Sequence, residues 1–288
     1  MAMYVNADPG LEIAVRYDAP DEEWGQKVDF VDLVDDDYPL KPATWSDERQ
    51  CLVTLNYGFD GRSTGDYLHL TDEQNANKHD GNGYYVAGTF YARSEQDCSV
   101  ILAEAVELNE GENGAGTYVI GTPIWNAEEL IHTDGVSGAE CAIRIGFRVT
   151  HINAETGDAE GGSEFFIYEP NCDTHIGDAE GFVTTTSIDG TEQLTNDEHM
   201  IIQGSSSWTE AYPVQRKVTI RDLGEFRQNR TLFTLLAGEK VKIELYVWLE
   251  GQDIDCINKI VEAQILANLQ FHVDYGGQSG LVDIPDED

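Results

Sequence analysis

The side chains with the most chemical potential in this 288-residue chain are its carboxylates, 54 Asp and Glu against 17 Lys and Arg. Two carboxylates facing a glycosidic bond can act as acid and base, and clustered carboxylates can hold calcium. With so many acids, however, no chosen pair carries information. Asp72–Gly83 (DEQNANKHDGNG) has the composition of a calcium loop but lacks the D-x-[DN]-x-[DN]-G spacing, so it reads as a polar loop. Asp35, Asp36 and Asp37 are adjacent, and neighbours in extended chain point opposite ways; a solvated turn is the simpler expectation. Calcium stays the one cofactor left open, and no metal site is assigned.

Other chemistry is missing its motifs. The seven histidines never fall at i, i+2 or i, i+4, so no single element presents a two-histidine metal face. HExxH, G-x-S-x-G, a phosphate-binding loop and GxGxxG are all absent, and no catalytic residue is assigned. Cys51, Cys98, Cys141, Cys172 and Cys256 stand far apart without C-x-x-C spacing. Cys51 and Cys141 lie in apolar alternations, as buried thiols do; Cys172 and Cys256 lie in polar stretches and are the disulfide candidates. Asn229-Arg230-Thr231 is a formal glycosylation sequon. Trp24, Trp45, Trp125, Trp208 and Trp248 fall mostly in or beside loops, where rings either stack on sugars or pin a loop to a sheet. Gly157-Asp158-Ala159-Glu160-Gly161 recurs as Gly177-Asp178-Ala179-Glu180-Gly181, either as two turns or as paired loops sharing a cation.

The elements that must position these residues have a period of two. Leu11, Ile13, Val15 and Tyr17 alternate with polar or small residues, as do Cys51–Tyr57, Tyr84–Phe90, Cys141–Val149, Val241–Leu249 and Ile265–Val273. Shorter candidates are Ser99–Val106, Thr117–Ile120, Glu164–Tyr168, Phe182–Ser187 and Arg216–Arg221. Helix is expected only at Asn126–Ile131, Thr195–Ile202 and Leu223–Asn229. Alternation with one polar face implies antiparallel sheets. The expected fold is therefore all-β, a jelly roll or β-sandwich with long loops at Asp18–Asp47, Leu108–Gly138 and Gly190–Pro213. No Pro- or Ser-rich linker divides residues 1–288, which read as one elaborated domain.

A net charge of −37 excludes duplex nucleic acid and anionic membranes as partners. Hydrophobic content of 41% is too high for a disordered acidic tail, and no apolar run approaches a membrane span. Such a surface suits high salt, which screens the repulsion, or an extracellular milieu where carboxylates meet calcium. Met1-Ala2-Met3 has neither the basic nor the apolar part of a signal peptide, as in a mature domain behind a new initiator.

Val241–Asn258 (VKIELYVWLEGQDIDCIN) and Ala263–Phe271 (AQILANLQF) resemble the closing signature of secreted Gram-positive proteins of the TasA/camelysin kind, exported with SipW-type signal peptides. Gly10–Tyr17 and Ala139–Phe147 resemble other strands of that group more loosely. The signature falls on Trp248, Glu250, Gly251, Asp255 and Cys256, which we read as structural, with Cys256 bridging to another loop cysteine or staying free. The resemblance implies a jelly-roll subunit at the cell surface that polymerises into biofilm matrix fibres by donating an N-terminal strand. The metalloprotease activity attributed to some members finds no zinc motif here.

The expected donor is the N-terminal segment 1–17, with Leu11, Ile13, Val15 and Tyr17 as its assembly residues. Partners would be further copies of the chain, with other matrix proteins or polysaccharide beside them. Three readings stand against this one. The chain is a monomeric secreted module for carbohydrate or calcium, or a hydrolase whose paired carboxylates come together only in space, or the same strand pairs inside its own sheet.

Overall fold

The computed structural model describes residues 1–31, 40–46, 51–57, 63–69, 83–103, 107–109, 112–113, 116–121, 125–126, 129–130, 142–168, 219–220, 231–250 and 263–276. The strands begin with β1 (Ala2–Ala7), β2 (Leu11–Ala14), β3 (Lys27–Phe30), β4 (Thr44–Ser46), β5 (Cys51–Tyr57) and β6 (Ser63–His69). They continue with β7 (Tyr85–Ser94), β8 (Cys98–Leu102), β9 (Glu107–Asn109), β10 (Glu112–Asn113), β11 (Tyr118–Gly121), β12 (Trp125–Asn126) and β13 (Glu129–Leu130). The last are β14 (Ile143–Ile152), β15 (Ala159–Tyr168), β16 (Thr219–Ile220), β17 (Phe233–Leu235), β18 (Lys240–Leu249) and β19 (Ile265–Asp274). Among the described residues the only helix is one 3-10 turn, Asp21–Glu23.

Two large sheets face each other. One runs β17-β8-β19-β1-β3, with β11 also on β19; the other runs β16-β15-β14-β18-β7-β2. The chain crosses between them at β1–β2, β2–β3, β7–β8, β17–β18 and β18–β19, wrapping one core as a jelly roll does. Alternation explains which side chains meet there. Val241, Ile243, Leu245 and Val247 of β18 point inward with Ile145, Phe147, Ala267, Leu269 and Phe271. On the outer face of β18, Lys242 and Glu244 pair at 2.9 Å. Each buried Val, Leu, Ile or Phe stabilises the fold by roughly 1.5–3 kcal/mol, so this seam dominates.

The outer face of the second sheet is not polar throughout. Tyr85, Phe165, Ile167, Tyr246 and Trp248 form a second apolar cluster there with Ala43 and Leu52, which come from the β4-β5-β6 region. Ala43 N–H donates to the Leu249 carbonyl at 3.0 Å, anchoring that third layer. Gly146 lies beneath it, where a Cβ would stand 2.4 Å from the Phe165 ring.

Several expectations change. The strand expected over Leu11–Tyr17 ends at Ala14, and Val15 is 61% exposed. Ile13 pairs with Gly25 across a fold-back, so the chain turns away before Val15 could join the sheet. The helix expected at Asn126–Ile131 is instead the hairpin β12/β13, pairing Trp125 with Leu130. So short a helix is marginal by itself, and strand pairing overrides its propensity. The long loops Asp18–Asp47 and Leu108–Gly138 hold β3, β4 and β9–β13 in whole or part. The sheets are mainly antiparallel, but β1 runs parallel to β19 and β15 parallel to β16. Phe182–Ser187, Thr195–Ile202 and Leu223–Asn229 lie outside the described residues.

Candidate functional site

The N-terminal strand occupies a slot inside the first large sheet. Ala2–Ala7 pairs in parallel with Leu266–Phe271 on one side, and Met3–Asn6 pairs antiparallel with Phe30–Lys27 on the other. Among the described residues, β1 alone joins β3 to the rest of that sheet. Met3, Val5 and Ala7 enter the core. Tyr4 and Asn6 face outward, with the Lys27 ammonium 5.2 Å from the Tyr4 ring centroid and Asn6 Nδ2 donating to Asn268 Oδ1 at 3.0 Å.

Beyond Ala7 the chain must cross to the second sheet within three residues. Leu11 N–H donates to the Asp8 carbonyl at 3.1 Å, closing a four-residue turn with Pro9 and Gly10 in the middle. Gly10 has φ +98°, as the third residue of a type II turn requires, and Pro9 presets the second. A side chain at Gly10 would also run into the Tyr275 hydroxyl.

Polar ties converge on this corner. Asp8 N–H donates to the Phe271 carbonyl at 2.9 Å. Its carboxylate accepts from Gln270 Nε2 at 3.0 Å and bonds His272 Nδ1 through the other oxygen. Tyr275 donates its hydroxyl to the Pro9 carbonyl at 3.2 Å. Burial, and then the nearby Cys98 and Asp8, push the Tyr275 phenol above its ordinary range, which keeps it a donor.

After the turn, Leu11 and Ile13 are buried in the chain's own second sheet, paired with Ser94 and Ala92 of β7. Tyr17 packs edge-on against Tyr91, with ring centroids 6.1 Å apart, and its carbonyl accepts from Lys240 Nζ at 2.8 Å. Of the four assembly residues expected, the structure thus places two in the core, Val15 on the surface and Tyr17 at a clasp. That clasp centres on Trp24, only 6% exposed, which donates Nε1 to the Ala19 carbonyl at 2.9 Å. The Arg93 guanidinium lies 4.4 Å and the Lys240 ammonium 5.3 Å from its ring. Arg93 also bonds Glu12 at 2.7 Å and Asp21 at 2.9 Å, tying β2 to the fold-back.

Of the signature residues, Trp248 and Glu250 are fully buried together, Trp248 Nε1 donating to Glu250 Oε2 at 3.1 Å. Gly251, Asp255 and Cys256 lie outside the described residues, as do Cys172, Asp35–Asp37, nearly all of Asp72–Gly83, and the second copy of the GDAEG repeat. The first copy closes the β14–β15 turn with Gly157 and Asp158 and opens β15 with Ala159–Gly161, where Asn153 Nδ2 donates to Glu160 Oε1 at 2.8 Å. Cys98 is buried and unbridged, and burial raises its thiol above the ordinary range. Neither Trp24 nor Trp248 is an exposed ring on which a sugar could stack.

A cleft of about 380 Å³ opens between β14, β15 and β17, with His151 and Glu164 among its walls. Glu164 is the one carboxylate among the described residues lining it, so it offers no acid–base pair. No group of three metal-ligating side chains occurs among the described residues. No helix there is long and apolar enough to cross a membrane.

Sequence reasoning missed β1 as a separate strand and missed the Asp8 corner. Two signals were present: Met3, Val5 and Ala7 alternate with Tyr4 and Asn6, and Pro9-Gly10 is a turn dipeptide that splits segment 1–17. Comparison with family models, with curated proteins and with solved structures finds no match to this chain.

Proposed function

We propose that this chain is a non-enzymatic structural subunit, exported to the cell surface, that assembles into extracellular fibres of a biofilm matrix by giving its N-terminal strand to the next copy. The observation that carries the reading is the placement of β1. It fills an interior slot between β3 and β19, and only three residues separate it from β2. Were β1 withdrawn, the facing backbone of β3 and β19 would lose its partners, and an identical strand from another copy would restore every bond. Each copy then fills one slot and offers one strand. Such a head-to-tail contact need not close, so it propagates as a filament.

The resemblance of Val241–Phe271 to TasA/camelysin-like proteins supports the same reading from the sequence. The donor is then β1, with Met3, Val5 and Ala7 filling the slot, rather than Leu11, Ile13 and Val15. The test is negative-stain microscopy at neutral pH in low salt, and again at pH 5 with calcium. Regular filaments in either condition support the proposal. Uniform single particles in both refute it and move the question to glycan and calcium titrations of a monomeric module.

A further inference from the structure

The geometry points to the Asp8 corner as a latch that decides whether β1 stays in its own sandwich. This inference rests on the strand-donation reading for its purpose, while its physical content concerns the monomer alone. Withdrawal of β1 from its interior slot must pivot at the Asp8 end, because β2 stays paired to β7 while β1 departs.

That pivot carries a concentration of polar ties. Asp8 is held through its N–H, through its carbonyl and through both carboxylate oxygens, by Phe271, Leu11, Gln270 and His272. All four of these partners lie on β2 or β19, the strands that remain when β1 leaves. Tyr275, one residue past β19, holds the Pro9 carbonyl. Gly10, in its positive-φ turn, sits so close beneath the Tyr275 hydroxyl that no side chain fits between them. Opening the turn toward an extended hinge therefore breaks the Tyr275 and Leu11 bonds and pulls Asp8 from β19.

The inward face of β1 resists withdrawal differently. Met3, Val5 and Ala7 offer only apolar contact, which an identical strand reproduces in any slot. The corner ties are thus the directional part of the hold, and loosening them favours release without spoiling the slot. The Asp8 and His272 side chains are 26% and 46% exposed, so their pair is worth less than a buried one, while the Gln270 bond to a charged acceptor adds to it.

Hydrogen exchange of the full chain, read as monomer in low salt, tests the latch. Replacing Asp8 by alanine is expected to speed exchange of the Met3–Ala7 amides roughly tenfold, and His272→Ala roughly threefold. Amides of β14 and β18 should keep their rates in both variants. Asp8→Asn, which keeps an acceptor for Gln270, serves if the alanine variant folds poorly and should give an intermediate rate. Equal acceleration of β1, β14 and β18 would reduce the corner to general stabilisation and overturn the proposal, as would unchanged β1 exchange. Filament imaging is separate: its failure removes the fibre reading while leaving the exchange result standing, and the converse also holds.

Discussion

Replacing Val5 by aspartate puts a carboxylate at the centre of β1's buried face, opposite Leu269 of β19 and Val28 of β3. The substitution loses about 2 kcal/mol of apolar burial. Leaving the new charge unpaired in the core costs on the order of 3–5 kcal/mol more. Against this, Met3 and Ala7 together retain roughly 3 kcal/mol of burial. The cheapest escape is for β1 to leave its slot, and once it has left, the carboxylate is in water and costs nothing further. The loss of stability is therefore capped at whatever β1 contributes when seated. Val5→Asp and a chain lacking residues 2–7 should then unfold in urea with free energies equal within about 0.5 kcal/mol. In both, a synthetic β1 peptide (AMYVNA) should bind the open slot and protect the amides of β3 and β19 from exchange. A Val5→Asp protein much less stable than the truncated one would show that β1 cannot leave independently. Failure of the truncated chain to fold, or of the peptide to bind, would likewise refute the separable strand.

Three further outcomes are expected. At −37 per copy, packing subunits is repulsive, so filament formation should rise with salt, with calcium or with acid that titrates carboxylates; light scattering unchanged by all three would refute this. Trp24→Ala removes a ring held between Arg93 and Lys240 and should cost about 3 kcal/mol, with new protease cleavage at Arg16. Burial raises the Cys98 thiol, so native protein should react with a thiol reagent at this position only after denaturant is added. The sign for stability follows: this contribution is complete below the unfolded thiol's 9.0 and is lost as pH rises through the higher folded value. A Cys98→Ser variant whose alkaline stability profile matches the parent would contradict it.

The third layer has a consequence for the signature residues. Because Tyr246 and Trp248 are covered by the Ala43 and Leu52 region, the aromatic end of β18 serves packing. The Trp248–Glu250 bond then satisfies an indole N–H that burial would otherwise strand. That is reason enough for a tryptophan and a glutamate two residues apart.

Period-two alternation determined the all-β class, the long central strands and the apolar seam. Side chains at Val241, Ile243, Leu245 and Val247 can share one face only in extended chain, whatever they pack against. What alternation cannot encode is which strands become neighbours. The parallel pairing of the first strand with the last, the cover over Trp248 and the gathering of Asp8, Gln270, His272 and Tyr275 all join residues separated by most of the chain. Val15 shows the same limit in reverse: it fits the alternation, yet the Ile13–Gly25 fold-back turns it out to solvent. Local pattern fixes the direction a side chain points within its own strand, and only the closing of long loops decides what waits on the other side.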